Sequence, residues 1–186
     1  MKKFFSHYWI LLSFSLLLLF ILIVFLIIKY PLYSKAIEID IKPKTIEIDN
    51  TLPISDVLGK SMIYSKINKN IQGYISINVV NPNDRKVSFF IVLSKKELDN
   101  LEIKENYVKV YLTDQNDKPI KGFEKNMVPS FADLKRYNNK SNDKILYKGV
   151  LDKKSELKFI LRSWISDTYV ISNNLEKFSY DISVII

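Results

Sequence analysis

The chain holds one uninterrupted apolar run, Ile10 to Ile28, which reads ILLSFSLLLLFILIVFLII: seventeen Leu, Ile, Phe or Val residues, two serines and no charge. At ~1.5 Å per residue, a helix over this run with Trp9 included spans ~30 Å, the thickness of the bilayer hydrocarbon. Taking ~0.3 to 0.6 kcal/mol per apolar residue, its insertion is favoured by roughly 5 to 10 kcal/mol. Two serines bonding back to helix carbonyls do not offset that. Tyr8 and Trp9 on one flank, and Tyr30 and Tyr33 on the other, stand where interfacial aromatics are enriched. The run therefore predicts a membrane-spanning helix over residues 9–30, held in lipid by Trp9, Ile10, Leu19, Phe20, Ile28 and Tyr30.

Pro31 closes that helix, and after it the hydrophobic period changes to two. Ile37, Ile39 and Ile41 alternate with Glu38, Asp40 and Lys42; beyond Pro43 the same alternation returns at Ile46 and Ile48, as in a single strand interrupted at the proline. Ile75, Ile77 and Val79 form the next apolar face, before the turn Asn81-Pro82-Asn83-Asp84. Val87 to Leu93 is almost wholly apolar, the pattern of a central strand covered on both sides. Val108, Val110 and Leu112 mark a strand that ends in the Asx-rich turn 114–117, and 145–151, 157–165 and 178–186 supply three more. About eight strands without amphipathic helices between them predict an antiparallel β-sandwich, jelly-roll-like in type. Two long connections stand apart: 123–144, with a helical turn expected near Phe131 to Tyr137, and 166–177, which also reads as helical. Long loops on a rigid scaffold are where binding surfaces are expected.

The expected organisation is thus a tail at 1–8, a span at 9–30, a linker at 31–36 and a mostly β domain at 37–186. Ser34-Lys35-Ala36 offers a small-x-small pattern for signal cleavage, but signal cores run only ~7 to 15 apolar residues, so a retained anchor is expected. Lys2 and Lys3 against Lys29 and Lys35 leave the flanking charge nearly balanced. A short tail before a large domain is the layout of a signal anchor, which places the N-terminus in the cytoplasm and the domain outside the cell membrane.

Composition narrows the chemistry. Of 28 Lys and Arg, four precede residue 37, leaving 24 against 20 acids in the domain; this ordinary surface lacks the basic stripe that nucleic acid requires. There is no cysteine, hence no disulfide, thiolate site or lipoprotein anchor. The sole histidine, His7, precedes the span, so the domain has none for a triad or zinc site. No cofactor, metal or catalytic residue is assigned. Glu97, Asp99, Glu102 and Glu105 are interleaved with lysines like a solvated turn, although paired carboxylates are what a glycan hydrolase would need. Asp114 to Lys118 has oxygens spaced as in a calcium loop but lacks its glycine and glutamate, and reads as a hairpin turn. The tyrosine-rich strands suit packing first and a stacking platform for sugars second. Candidate partner-binding residues are Phe131 and Tyr137 in the long loop, and Arg162 and Trp164 on one strand face.

The N-terminal apolar segment, Leu52 to Lys60 ahead of strand 74–81, and Phe159 to Asp167 together resemble the layout of the camelysin and biofilm-fibre subunit family of exported Gram-positive proteins. That resemblance implies a jelly-roll-like domain on the outer cell surface with a structural or assembly role. The long anchor departs from it. Three functions are carried forward: a surface-tethered, non-enzymatic sandwich binding a protein or cell-wall partner, a carboxylate-dependent wall or glycan hydrolase, and an accessory subunit of a larger membrane complex. The last would leave an apolar patch exposed on the domain.

Overall fold

The structure is a computed structural model describing residues 2–29, 35–42, 44–49, 54–61, 73–98, 102–124, 126–138, 142–172 and 175–186. Expectations placed on Tyr30, Pro31, Tyr33, Ser34, Pro43, Leu52, Pro53, Asp99 and 139–141 lie outside these residues, as do the side chains of Tyr8, Ile10 and Ile28. The chain divides into two compact units, Met1–Lys35 and Ala36–Ile186.

The first unit is one helix, α1 (Lys2–Lys29). Its described side chains, Trp9 and 12–26, are exposed on every side, and Ser13 Oγ donates back to the Trp9 carbonyl at 2.8 Å. Among the described residues no helix is long and apolar enough to cross a membrane.

The second unit is mostly β, with nine strands among its described residues: β1 (Glu38–Lys42), β2 (Thr45–Asp49), β3 (Tyr74–Asn81), β4 (Val87–Lys95), β5 (Val108–Asp114), β6 (Lys135–Arg136), β7 (Lys144–Leu151), β8 (Ser155–Ile165) and β9 (Lys177–Ile185). They form two antiparallel sheets, ordered β1-β3-β8-β5 and β2-β9-β4-β7-β6. The alternating residues behave as their period demands. Ile75, Ile77 and Val79 are fully buried, as are Val108, Val110 and Leu112. β4 is central between β9 and β7, which is why both Val92 and Leu93 are covered. Phe159 of one sheet meets Tyr147 of the other at 4.9 Å and Phe89 at 6.4 Å, so the sheets pack face to face as a sandwich.

The interrupted first strand has a specific outcome. Ile41 pairs with Ile77 in one sheet, and Ile46 pairs with Tyr180 in the other, so the chain changes sheets between Lys42 and Thr45. Every later step between full-length strands also crosses the sandwich. The turn at 114–117 is a local hairpin, as expected: Ile120 N donates to Leu112 O, and the Asp114 carboxylate accepts from Asn116 N at 2.8 Å and Lys118 N at 3.0 Å.

The two long connections differ from expectation. Residues 166–172 form turns, with no helix among the described residues of 166–177. In the other, the helical turn is a single 3-10 turn, Phe131–Asp133. Before it, Val110 N donates to Pro129 O, and Val128 and Phe131 are buried. The segment runs along the open edge of β5 and closes the core.

Strand direction then sorts the connections into two poles. One carries the hairpin 114–118 and the tight arches 82–86 and 152–154, the two arches joined by Asn81: its amide donates to Arg85 O and Asp152 O, both at 2.8 Å, and its carbonyl accepts from Asn83 N. The other carries the long loops 54–61, 96–98, 102–107, 126–134, 166–172 and 175–176.

Candidate partner-binding pole

The long-loop pole is assembled from segments distant in sequence. Ile54 N donates to Ile165 O at 3.0 Å and Ser166 N to Tyr107 O at 2.8 Å, pinning three loops together. A short helix, α2 (Asp56–Lys60), follows Ser55; Lys60 Nζ reaches Asn126 O at 2.9 Å, and Val128 N donates to Asp56. These contacts bring α2 beside 126–128.

Beneath α2 lies Trp164, at 3% exposure. Alternation turns Trp164 and Arg162 away from the sandwich interior, because Phe159, Leu161 and Ser163 face inward. Both are nevertheless buried. Gly59 of α2 rests directly on the indole, where an added Cβ would come within 2.2 Å of the ring. Arg162, at 2% exposure, donates to Thr113 Oγ1 at 3.1 Å, pairs with Asp117, and lies over the Tyr74 ring at 5.4 Å. The expected Arg162–Trp164 surface is thus a covered layer rather than an exposed anchor. Burial also pushes the neighbouring Tyr111 phenol up, against the opposing pull of Arg162.

Phe131, expected as a partner-binding residue of the long loop, is fully buried against Phe178 at 4.9 Å and Tyr180 at 5.6 Å. Its turn is fixed by Asp133, whose carboxylate accepts from Ser130 Oγ at 2.7 Å and Ser130 N at 2.8 Å. Those bonds, the hydroxyl's first, hold the Asp133 carboxyl below the usual carboxylate range. Tyr137 alone of the four candidates stays half-exposed, and it lies on the outer face of the second sheet, not at this pole. Of the expected lipid anchors, Trp9, Leu19 and Phe20 are exposed on α1, Ile10 and Ile28 have helical backbone, and Tyr30 lies outside the described residues.

Of the acids expected in a solvated turn, Glu97 is exposed and Asp99 lies outside the described residues, while Glu102 and Glu105 are partly buried and ion-paired. Glu102 lies 2.8 Å from Lys95 Nζ, and Glu105 bridges Lys95 at 3.5 Å and Lys144 at 3.4 Å. Burial works to lower the Lys95 ammonium, but the bond to Glu102 and the charges of both acids leave it raised. Lys95 is thus ion-paired with both carboxylates.

Among exposed polar residues such as Lys104, Asp167 and Ser172, the pole also presents large apolar side chains. Val170 is 83% exposed, Met127 78% and Val57 77%, with Leu58, Ile171 and Leu175 also exposed. Elsewhere in this unit the exposed large apolar residues among those described are Ile39, Val150 and Ile186. The loop carrying Val170 is ordered around Tyr169, whose ring packs on Tyr107 at 5.1 Å and whose hydroxyl donates to Glu176; burial, then that bond, pushes its phenol up to about 12. The sequence signal for these residues was slight: apolar side chains set singly among turn formers, with no period to assign them to a face.

Compared with known proteins, the chain matches no family model, no curated protein and no solved structure.

Proposed function

We propose that this chain is a single-pass, membrane-anchored protein with its β-sandwich outside the cell membrane, serving a structural, assembly or binding role at the bacterial surface. Its long-loop pole is the docking surface for a protein partner. The anchor rests on the uncharged run from Ile10 to Ile28 and on the helical backbone of Lys2–Lys29, apolar on all sides where its side chains are described. The jelly-roll-like description and the assembly role implied by the camelysin resemblance belong to the same reading, supported by strands that pass repeatedly from sheet to sheet.

The observation that carries the binding role is the gathering of Val57, Leu58, Met127, Val170, Ile171 and Leu175 at one pole. Scattered exposed apolar residues are ordinary, whereas a cluster on tied-down loops fits an interface. The same observation favours an accessory subunit of a larger membrane complex as the second reading. The lysine ion-paired with both Glu102 and Glu105 favours binding over carboxylate hydrolysis.

Site-specific photocrosslinking in intact cells tests this. A crosslinker replacing Met127 or Val170 should give one discrete protein adduct in the membrane fraction, and the same crosslinker at Val150 should give none. Full-length protein recovered without detergent would overturn the anchor. Identical crosslinking from all three positions, or none from any, would overturn the docking pole.

A further inference from the structure

A second surface joins aromatic rings to cations that have no carboxylate partner among the described residues. On the outer face of the second sheet, Phe90 of β4 is in register with Lys148 of β7. The rings of Phe90 and Tyr137 meet edge-to-face at 5.5 Å and 77°, and Lys148 Nζ lies 5.3 Å from the Phe90 ring centre. Lys135, two residues before Tyr137, pairs with Ile145 of β7 and shares this face. Both rings are half-buried, and both lysines are exposed.

Charge sets this cluster apart from the rest of the face. Lys96 is paired with Asp181 at 3.0 Å, and Lys177 with Glu47 at 2.5 Å. Among the described residues, neither Lys135 nor Lys148 has an ion-pair partner. Half-exposed Ile145 and Ile185 and exposed Val150 continue the apolar floor around Phe90. Aromatic faces stack on the C–H faces of sugar rings, and unpaired ammonium groups attract acidic substituents.

We propose that this face binds an anionic polysaccharide, a sugar ring packing against the exposed part of the Phe90–Tyr137 pair and its acid groups meeting Lys135 and Lys148. A neutral glycan would leave the two ammonium groups unanswered, and a bare polyanion would leave the aromatic floor unused. The site does not rest on the docking pole, and the membrane reading can fail without affecting it.

Titration of the full chain, held in uncharged detergent micelles, with polygalacturonate, neutral dextran and polyphosphate separates these chemistries. Polygalacturonate should bind and weaken with added salt; dextran should not bind. K135Q/K148Q should weaken polygalacturonate about tenfold while melting at the wild-type temperature, and Y137A about fivefold, with Y137F close to wild type. No binding of polygalacturonate overturns the proposal. So does polyphosphate binding as tightly as polygalacturonate, or affinity unchanged in K135Q/K148Q or Y137A.

Discussion

Gly59 sits in α2 at a point where any side chain would collide with Trp164. A Cβ there would lie 2.2 Å from Cε2, 2.3 Å from Cδ2 and 2.6 Å from Cζ2. These atoms belong to the body of a buried ring, so no flexible tip can swing aside. Carbon atoms in contact sit about 3.5–4.0 Å apart, so α2 in G59A must retreat by roughly 1.5 Å. Overpacking of this severity costs about 3 kcal/mol, while alanine gains about 1 kcal/mol over glycine in an unstrained helix. The net expectation is a loss of about 2 kcal/mol. Trp9 and Trp164 are the only tryptophans, so W9F leaves Trp164 as the sole reporter. Urea unfolding of full-length W9F and W9F/G59A, followed by fluorescence, should show the lower midpoint together with a red-shifted native spectrum. Trp164→Leu removes the clashing ring, and in urea unfolding followed by circular dichroism the double variant should be less destabilised than the two single effects summed by about 1–2 kcal/mol. If G59A is as stable as its parent with an unshifted spectrum, α2 does not rest on Trp164, and the covered layer over Arg162 and Trp164 must be redrawn.

Two further outcomes follow from buried polar contacts. Asn81→Ala should cost about 2–3 kcal/mol in chemical denaturation, because the carbonyls of Arg85 and Asp152 lose their donor and the Asn83 amide its acceptor. Asp133 has its folded pKa depressed, so its contribution is present above the unfolded value of about 3.9 and is lost as pH falls through the lower folded value. D133N should melt below wild type at pH 7, and the two melting curves should converge as the pH approaches 2; a gap that persists there refutes the assignment.

Much of the sandwich was legible because alternation is a local property. Ile75, Ile77 and Val79 announce a buried face whatever they pair with, and Asx residues at 81–84 and 114–117 mark turns through their own hydrogen bonds. The candidate site was less legible. Phe131 stood in a polar loop, but a chain passing along β5 folds it beneath Phe178 and Tyr180. Glu102 and Glu105 looked solvated because their lysine partners, Lys95 and Lys144, come from two different strands.

By itself the sequence determined the uncharged run at 10–28, the strand-forming segments, the turns between them and the absence of domain histidine and cysteine chemistry, since each follows from neighbours within a few residues. Only the tertiary structure decided that the first strand divides between two sheets, that Arg162 and Trp164 lie under a second layer despite their outward register, and that six apolar side chains gather at one pole. Those outcomes depend on contacts between residues far apart in the chain, about which a period of two carries no information.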